Sequence, residues 1–298
     1  RTLPDPDHDP RAAVRYRLTL YAQHRLRQQL DDLQTRDRGL YLDVPVGVHA
    51  ASYDVWRHAD AFASRCTVGA PPDPFFTHGQ NWGFPPLTPE AATSHALPYQ
   101  TEILERHARR SRLLRLDHVM ALHRLFWIPR GSAATEGVFV NYRPDPLYAT
   151  LTRLATRHQC AIVGENLGTV PPATTRRLRR HRLLGMHILQ FEPGRSERRL
   201  PTPHPGDLTA LNTHDMSPFR AFLSGHELDL HAEHGIMPRH LLDDARRDRA
   251  ALRQRLARAV ARTTGNPTDP DDWSTILLAL LEHAARSDAP VLLVNLED

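Results

Sequence analysis

Apolar and polar residues follow a helical rhythm at the start of this chain and a strand-like one soon after. Between residues 11 and 35 the apolar residues recur every three or four positions, which predicts one long amphipathic helix. Its apolar face carries Val14, Leu18, Tyr21, Ala22, Leu26, Leu30 and Leu33. The segment LYLDVPVGV, which begins at Leu40, then predicts a strand, and Pro45 ends its regular pairing.

The same alternation continues to the end of the sequence. Apolar segments predict six strands, near residues 41, 114, 161, 186, 208 and 290. Helical patterns occupy residues 145–159, 171–181, 238–263 and 272–286. Strands separated by helices are typical of parallel βα units. Six such strands suit a (β/α)8 barrel or an open doubly wound sheet, but the GxGxxG turn expected of the open sheet is absent.

A proline-rich insertion at residues 69–91 separates the first two predicted strands. Linkers seldom carry several aromatic side chains, whereas this segment contains Phe75, Phe76, Trp82 and Phe84. We therefore expect an ordered loop that packs aromatic faces over a site. Such faces can stack against the apolar ring faces of sugars.

The basic residues exclude several kinds of chemistry. All 38 of them are arginine, so the chain has neither a Schiff-base lysine nor a P-loop lysine. The net charge is +4, but the densest basic run, residues 176–184, has no aromatic residues for base stacking. That run reads as a solvated helix face. We therefore expect no nucleic-acid partner.

Cysteine usage and hydropathy point to a cytoplasmic protein. The only two cysteines, Cys66 and Cys160, lack metal-type spacing, and no HExxH motif occurs. Reduced thiols fit this pattern best. No apolar run reaches the length of about eighteen residues needed to span a bilayer, so no membrane partner is expected.

Three predicted strands end on acidic residues. These are Asp117 in LRLDH, Glu165 in IVGENLG and Asp215 in LNTHD. Each acid alone could cap the helix that follows. Because the carboxyl ends of barrel strands converge on one mouth, the three acids together predict a single site.

An arginine accompanies the first of these acids. Arg115 lies two residues before Asp117 and therefore on the same face of the strand. An adjacent arginine favours an ionised carboxylate, which suits a nucleophile, while a carboxyl group in a drier setting can stay protonated and act as an acid. Cleavage of a glycosidic bond requires this division of roles.

Five sequence blocks carry a family resemblance. In chain order they are GAPPDPFFTHGQNWGFPPLTP, LRLDHVMALHRLFWIPRG, IVGENLGTVP, GMHILQFE and TALNTHD. They resemble the motifs of the 4-α-glucanotransferases, also called amylomaltases or disproportionating enzymes, of glycoside hydrolase family 77 in the α-amylase clan. The resemblance extends from about Val14 to Asp215 and is thin beyond Phe222.

The resemblance implies an activity and roles for particular residues. It implies retaining transfer of α-1,4-glucan segments between maltooligosaccharides, without a metal or organic cofactor. Asp117 matches the nucleophile, Glu165 the general acid/base, and Asp215 the third carboxylate that grips sugar hydroxyls. The implied substrate-binding residues are Arg115, which orients the nucleophile, His214, Asp73, Gln80, Trp82 and, less directly, Asp43.

Two departures from the family pattern modify these expectations. Asn166 stands where the family has aspartate, so a negative charge is absent beside Glu165. The first two barrel strands have no counterpart, which implies an incomplete (β/α)8 TIM barrel of glycosidase type with strands three to eight present. We expect residues 1–298 to be a partial catalytic barrel, a fragment whose acceptor-side loop is the insertion at 69–91.

Two other functions are compatible with the same residues. The carboxylates could hydrolyse α-glucans instead of transferring them. A truncated chain could also bind glucans without catalysing any reaction. The sequence carries no signal for the oligomeric state.

Overall fold

A computed structural model describes residues 9–35, 39–73, 76–89, 96–190 and 200–298. The chain divides into two compact units, Arg1–Ile162 and Val163–Asp298. The helices of the first unit are α1 (Pro10–Thr35), α2 (Tyr53–Arg57), α3 (Ala96–Ala108) and α4 (Asp145–His158). Its strands are β1 (Tyr41–Val44), β2 (Cys66–Ala70), β3 (Gln80–Asn81), β4 (Leu113–Leu116), β5 (Arg124–Pro129) and β6 (Val138–Asn141).

The next strand, β7 (Ala161–Gly164), begins in the first unit and ends in the second. The helices that follow are α5 (Pro172–Arg180), α6 (Phe219–Ser224), α7 (His226–Glu233), α8 (Arg239–Thr264) and α9 (Trp273–Ala285). The remaining strands are β8 (Gly185–Ile188), β9 (Asp207–Ala210) and β10 (Val291–Leu293). Both units therefore mix helices and strands, which confirms the predicted α/β class.

Parallel pairing in the first unit determines where Asp43 and Arg115 lie relative to each other. β1 and β4 are parallel neighbours, and Asp43 is opposite Arg115 in their register. Pro45 follows β1 directly and has no N–H to continue the ladder. On the other side of β4, the backbone N–H of Ala161 donates to the carbonyl of Arg112 at 2.9 Å. The strands predicted near residues 41, 114 and 161 are confirmed.

The first unit also contains an antiparallel sheet that the sequence pattern did not predict. Its strand order is β3-β2-β5-β6, and Val68 of β2 lies opposite Trp127 of β5. The description of residues 69–91 as a loop is therefore wrong in two places, because Gly69 and Ala70 belong to β2 and Gln80 and Asn81 form β3. Trp82, directly after β3, is also bonded to this sheet, because its backbone N–H donates to the Val68 carbonyl at 2.9 Å. Phe75 and residues 90–91 lie outside the described part of the chain.

The long helix predicted at the start is confirmed as α1. Much of its apolar face is exposed, however, including Val14, Leu18, Tyr21 and Leu26, whereas Leu30 and Leu33 are half-buried. An ion pair between Arg110 and Asp31, with 2.9 Å between Nε and Oδ1, joins this helix to the end of α3. This polar contact therefore helps to position α1. None of the described helices is both long and apolar enough to cross a membrane.

The second unit combines three parallel strands with a helical core. β8, β9 and β10 are parallel neighbours in that order, and Val163 of β7 forms a parallel bridge with Leu184. The strands predicted near 186, 208 and 290 are thus confirmed, although Phe191 and Glu192 lie outside the described residues. The core packs Leu189, Leu211, Phe219, Leu223, Leu256, Ile276 and Leu280 together. Among the described residues the strands do not close into a barrel, so the incomplete barrel stays a prediction.

Candidate functional site

One buried guanidinium joins two carboxylates at the strand ends of the first unit. Arg115 is 5% exposed, and its Nη1 donates to Oδ2 of Asp43 at 2.6 Å. Its Nη2 lies 2.7 Å from Oδ1 of Asp117. The parallel register of β1 and β4 produces this arrangement, because it sets Asp43 opposite Arg115 while Asp117 follows the end of β4. The planar guanidinium therefore fixes the orientation of the Asp117 carboxylate.

The predicted acceptor-side residue Trp82 lies close to His118, the residue that directly follows Asp117. The Trp82 indole N–H donates to Oε1 of Gln80 at 3.0 Å. The Trp82 ring also meets the His118 ring edge-to-face, with 5.4 Å between ring centroids, and stacks on Phe84. These contacts hold the indole in one position beside the residue that follows Asp117.

His118 is a site residue that the sequence analysis missed. It adopts a left-handed backbone conformation, with φ 46° and ψ 62°, directly after Asp117. Burial lowers the pKa of its imidazole, against the opposing charge of Asp117. A side chain rarely adopts this conformation without compensating contacts. Its place in the LRLDH motif was the available signal.

Asp73 has a local structural contact in the same insertion. Its Oδ1 accepts a hydrogen bond from the Phe76 N–H at 2.6 Å, and its own N–H donates to the Phe76 carbonyl at 3.1 Å. Asp73 is thus bonded to Phe76 within the same insertion. A role for Asp73 in substrate binding stays a prediction.

A cavity of about 160 Å³ lies next to the same strand ends, still within the first unit. Asp117 and His118 line it, together with aliphatic side chains such as Val46, Leu87 and Leu122. Burying a sugar hydroxyl against such walls without a hydrogen bond is unfavourable. This cavity therefore does not suit a glucan chain.

Glu165 is buried at the end of β7 in the second unit. It is 8% exposed, and its Oε1 accepts a hydrogen bond from the Leu167 N–H at 2.6 Å. The neighbouring Asn166 turns towards β8, where its Oδ1 accepts from the Met186 N–H at 2.7 Å. Gly185 leaves room for it, because a Cβ there would lie 3.0 Å from the Asn166 Nδ2. Asn166 thus ties the end of β7 to the start of β8.

His214 and Asp215 lie in a turn after β9. Their side chains are 63% and 69% exposed, and His214 Nε2 lies 3.5 Å from Asp215 Oδ2. Within the turn, the Asp215 N–H donates to Oγ1 of Thr213 at 3.3 Å and the Met216 N–H donates to the Thr213 carbonyl at 3.0 Å. The carboxylate of Asp215 therefore faces solvent from a short, internally bonded turn.

The predicted site residues fall into separate groups. The first unit brings Asp43, Arg115 and Asp117 into direct contact, and Gln80 and Trp82 are bonded to each other. The second unit carries Glu165 and the pair of His214 and Asp215. The convergence of all three acids on one site stays a prediction. Among the described residues, no group of three His, Cys, Asp or Glu side chains is arranged to hold a metal ion.

Comparison with known proteins identifies the family. Residues 7–298 match the family model described as 4-alpha-glucanotransferase. The chain belongs to the 4-alpha-glucanotransferase family. The resemblance inferred from the five sequence blocks is thereby confirmed.

Curated relatives of the 4-alpha-glucanotransferase family agree with this match. The chain is 34% identical over 269 residues to the 4-alpha-glucanotransferase of Mycobacterium tuberculosis (strain H37Rv), covering 87% of this chain and 37% of the relative. It is 32% identical over 225 residues to that of Haemophilus influenzae, covering 75% of this chain and 32% of the relative. The chain thus spans about a third of the length of these relatives.

Solved amylomaltase structures share the fold. The amylomaltase from Corynebacterium glutamicum is similar with a TM-score of 0.82 and 26% identity, over 98% of this chain and 43% of that one. The amylomaltase from Streptococcus agalactiae in complex with acarbose has a TM-score of 0.69 at 17% identity, over 98% of this chain and 58% of that one. The α/β fold of the chain is therefore the amylomaltase type over the region compared.

The contacts of Asn166 predict the effects of replacing it with aspartate, the residue that the family has at this position, or with alanine. An aspartate oxygen can accept the Met186 N–H equally well, so Asn166→Asp should leave the free energy of unfolding nearly unchanged. Asn166→Ala leaves a buried N–H without its partner and should lower the free energy of unfolding by about 1–2 kcal/mol. Urea unfolding followed by circular dichroism measures this change. Asn141→Ala, on exposed β6, is the matched control, and equal destabilisation by both alanine variants would contradict the role of Asn166.

Proposed function

We propose that this chain transfers α-1,4-linked glucan segments between maltooligosaccharides by a retaining double displacement. The observation that carries the proposal is the buried Arg115, which orients Asp117 within a chain of the 4-alpha-glucanotransferase family. An oriented carboxylate suits attack on an anomeric carbon better than a freely rotating one. The proposed partners are maltooligosaccharides and other α-1,4-glucans.

Each residue has a defined part in the proposed reaction. The Asp117 carboxylate attacks the anomeric carbon and forms a β-linked glycosyl ester as the glycosidic bond breaks. Glu165 protonates the departing oxygen and then takes the proton of the incoming acceptor hydroxyl. The acceptor oxygen attacks the same carbon and releases Asp117, so two inversions retain the α configuration.

The other predicted residues would bind and position the sugar. Asp215 and His214 offer exposed polar groups for the hydroxyls of the donor sugar, and the polar atoms of Asp43 and Arg115 adjoin Asp117. Gln80, Trp82 and Asp73 belong to the loop that we assign to the acceptor. A water-excluding aromatic surface there favours transfer over hydrolysis.

We further propose that the six parallel strands are strands three to eight of a (β/α)8 barrel, with residues 1–298 as a partial catalytic barrel. Two observations support the proposal: the parallel strands pair in chain order within each unit, and the C. glutamicum amylomaltase has the same fold in this region. A cytoplasmic location is part of the same proposal. The two free thiols, Cys66 and Cys160, are compatible with a reducing compartment.

Incubation with maltotriose tests the proposed function. A transferase converts maltotriose into glucose and longer maltooligosaccharides, which chromatography resolves. Glucose and maltose without longer products would contradict transfer and indicate hydrolysis. Absence of any turnover would contradict catalysis by this chain, and glucan binding alone would then be tested with immobilised amylose.

Trp82→Ala should shift the reaction from transfer towards hydrolysis. The indole is fixed by Gln80, Phe84 and His118, so its removal opens the acceptor side to water. We expect the ratio of hydrolysis to transfer to rise about tenfold, measured as glucose released against longer products formed. Trp56→Ala removes an exposed tryptophan of α2 and serves as the control. An unchanged ratio in Trp82→Ala would contradict the assignment of this loop.

A further inference from the structure

The turn that carries His214 and Asp215 is anchored by residues from two adjacent strand ends. Leu293 of β10 lies opposite Ala210 of β9, so Asn295 and Asn212, each two residues further on, extend the same register. The Asn295 Nδ2 donates to the Asn212 Oδ1. Asn212 is only 3% exposed, so its amide is fixed by hydrogen bonds inside the second unit.

A single carboxylate oxygen joins the two ends of this turn. Oδ1 of Asp298 accepts a hydrogen bond from the Asn212 Nδ2 at 2.9 Å and another from the Phe219 N–H at 2.7 Å. Asn212 precedes the turn, and Phe219 is the first residue of α6, whose initial N–H groups have no partner within the helix. The Asn212 Nδ2 also lies 3.4 Å from the Ser217 carbonyl. Asp298 therefore closes the base of the turn from both sides.

The side chains at the tip of the turn are carried by a backbone whose two ends are held at this base. His214 and Asp215 are mostly exposed, and inside the turn the N–H groups of Asp215 and Met216 donate to Thr213. The position of the Asp215 carboxylate therefore depends on where the backbone of the turn lies. That backbone is fixed where Asn212 and Phe219 meet Asp298.

We infer that Asp298 is a positioning residue for Asp215, acting through Asn212 and the Phe219 N–H. Its consequence for catalysis rests on the proposed function, in which Asp215 grips the donor sugar. The contact uses only one of the two carboxylate oxygens. Among the described residues, the buried Oδ2 of Asp298 has no hydrogen-bond partner. An asparagine at this position can therefore keep the oxygen that accepts both bonds.

Amide hydrogen exchange tests the inference without requiring activity. The Met216 N–H does not contact Asp298, so its exchange rate reports the turn and not the lost bond. Asp298→Ala should speed exchange at Met216 by about tenfold or more, with Leu280 in the core of the unit changing less than about twofold. In Asp298→Asn the exchange rates of both amides should stay within about twofold of those in the unvaried chain. Glu297→Ala, which removes an exposed neighbouring carboxylate, should give the same result.

Three hydrogen-exchange results would overturn the inference. The first is unchanged exchange at Met216 in Asp298→Ala, and the second is an equal increase at Met216 and Leu280, which would indicate general destabilisation. The third is an Asp298→Asn variant that exchanges as fast as Asp298→Ala, since the charge and not the accepting oxygen would then hold the turn.

Steady-state kinetics on maltotriose then measures the catalytic consequence. Asp298→Ala should lower kcat by about tenfold while KM changes less than about threefold, because Asp215 is proposed to grip the donor sugar more strongly in the transition state. Asp298→Asn should restore kcat, and Glu297→Ala should match the unvaried chain. A normal kcat in Asp298→Ala would overturn the inference. An inactive unvaried chain would instead refute the proposed function, and hydrogen exchange would still decide the role of Asp298.

Discussion

Asp117→Asn is expected to lower kcat/KM for maltotriose transfer by about 10⁴-fold, equivalent to about 5.5 kcal/mol of transition-state stabilisation. The amide is a much weaker nucleophile than the carboxylate, so the glycosyl ester cannot form at a useful rate. The variant keeps the size of the side chain and an oxygen that can still face Arg115. The folded structure should therefore persist, and the loss should appear in the chemical step.

The control is another aspartate of the first unit. Asp60→Asn changes an exposed carboxylate in the short helix Ala59–Ala61 and should leave the rate unchanged. Transfer by Asp117→Asn at more than about a tenth of the normal rate would contradict the role of Asp117 as nucleophile. A change of the same size in Asp60→Asn would point to a general effect of lost charge.

The companion variant Glu165→Gln should allow the covalent intermediate to be seen. A glucosyl fluoride donor needs little proton assistance for its leaving group, so the first displacement can proceed without the acid. The second displacement lacks its base, and glycosylated enzyme should accumulate. Mass spectrometry of the peptide containing Asp117 would detect the added sugar. An intermediate on any other residue would contradict the assigned chemistry.

Local sequence pattern was sufficient for the parallel strands. Ile162 and Val163 are buried apolar residues of β7, and the polar residues Glu165 and Asn166 that follow mark where the strand ends. The same signal located β8, β9 and β10, because each is short, apolar and bounded by helix or turn residues. Such information lies within a few neighbouring residues, so one sequence can supply it.

The antiparallel sheet needed information that a local pattern does not contain. β2 and β5 pair Val68 with Trp127, residues separated by an intervening helix and a parallel strand. β6 is a short strand with Val138 and Phe139 exposed, and Phe139 packs against Arg124 at 4.1 Å between the guanidinium carbon and the ring centroid. Pairing over such distances is set by tertiary packing, which no short window of sequence specifies.

Part of the candidate site was likewise predictable from the sequence, and part was not. The spacing of Arg115 and Asp117 on one strand was readable from the sequence, whereas the pairing of Arg115 with Asp43 follows from the register of β1 against β4. The contact between Trp82 and His118 likewise joins two loops distant in sequence. Residue types can thus suggest the chemistry of a site, but the contacts that support the site depend on how the strands pair.

Arg115→Met should lower kcat/KM by about 10²–10³-fold and the free energy of unfolding by about 2 kcal/mol. Without the guanidinium, the carboxylates of Asp43 and Asp117 face each other with no cation between them, and Coulomb repulsion turns them apart. The stability loss is smaller than the 3–5 kcal/mol typical of a fully buried pair, because both carboxylates remain about a third exposed and can be hydrated.

Two further variants separate charge from geometry at this position. Arg115→Lys keeps the positive charge but cannot bond both carboxylates through a planar fork, so its activity should fall between those of Arg115 and Arg115→Met. Adding Asp43→Asn to Arg115→Met removes one of the two opposed charges and should recover about half of the lost stability. Arg57→Met, at an exposed position of α2, is the control for loss of a single arginine.

Chemical unfolding and maltotriose kinetics measured on the same variants decide the outcome. If Arg115→Lys is fully active, charge alone suffices and the bidentate geometry has no catalytic role. If Arg115→Met loses stability but keeps its transfer rate, the guanidinium supports the fold without orienting Asp117. The expected result is loss of both, with stability but not rate recovered by Asp43→Asn, because the second change relieves repulsion without restoring the group that aligns the nucleophile.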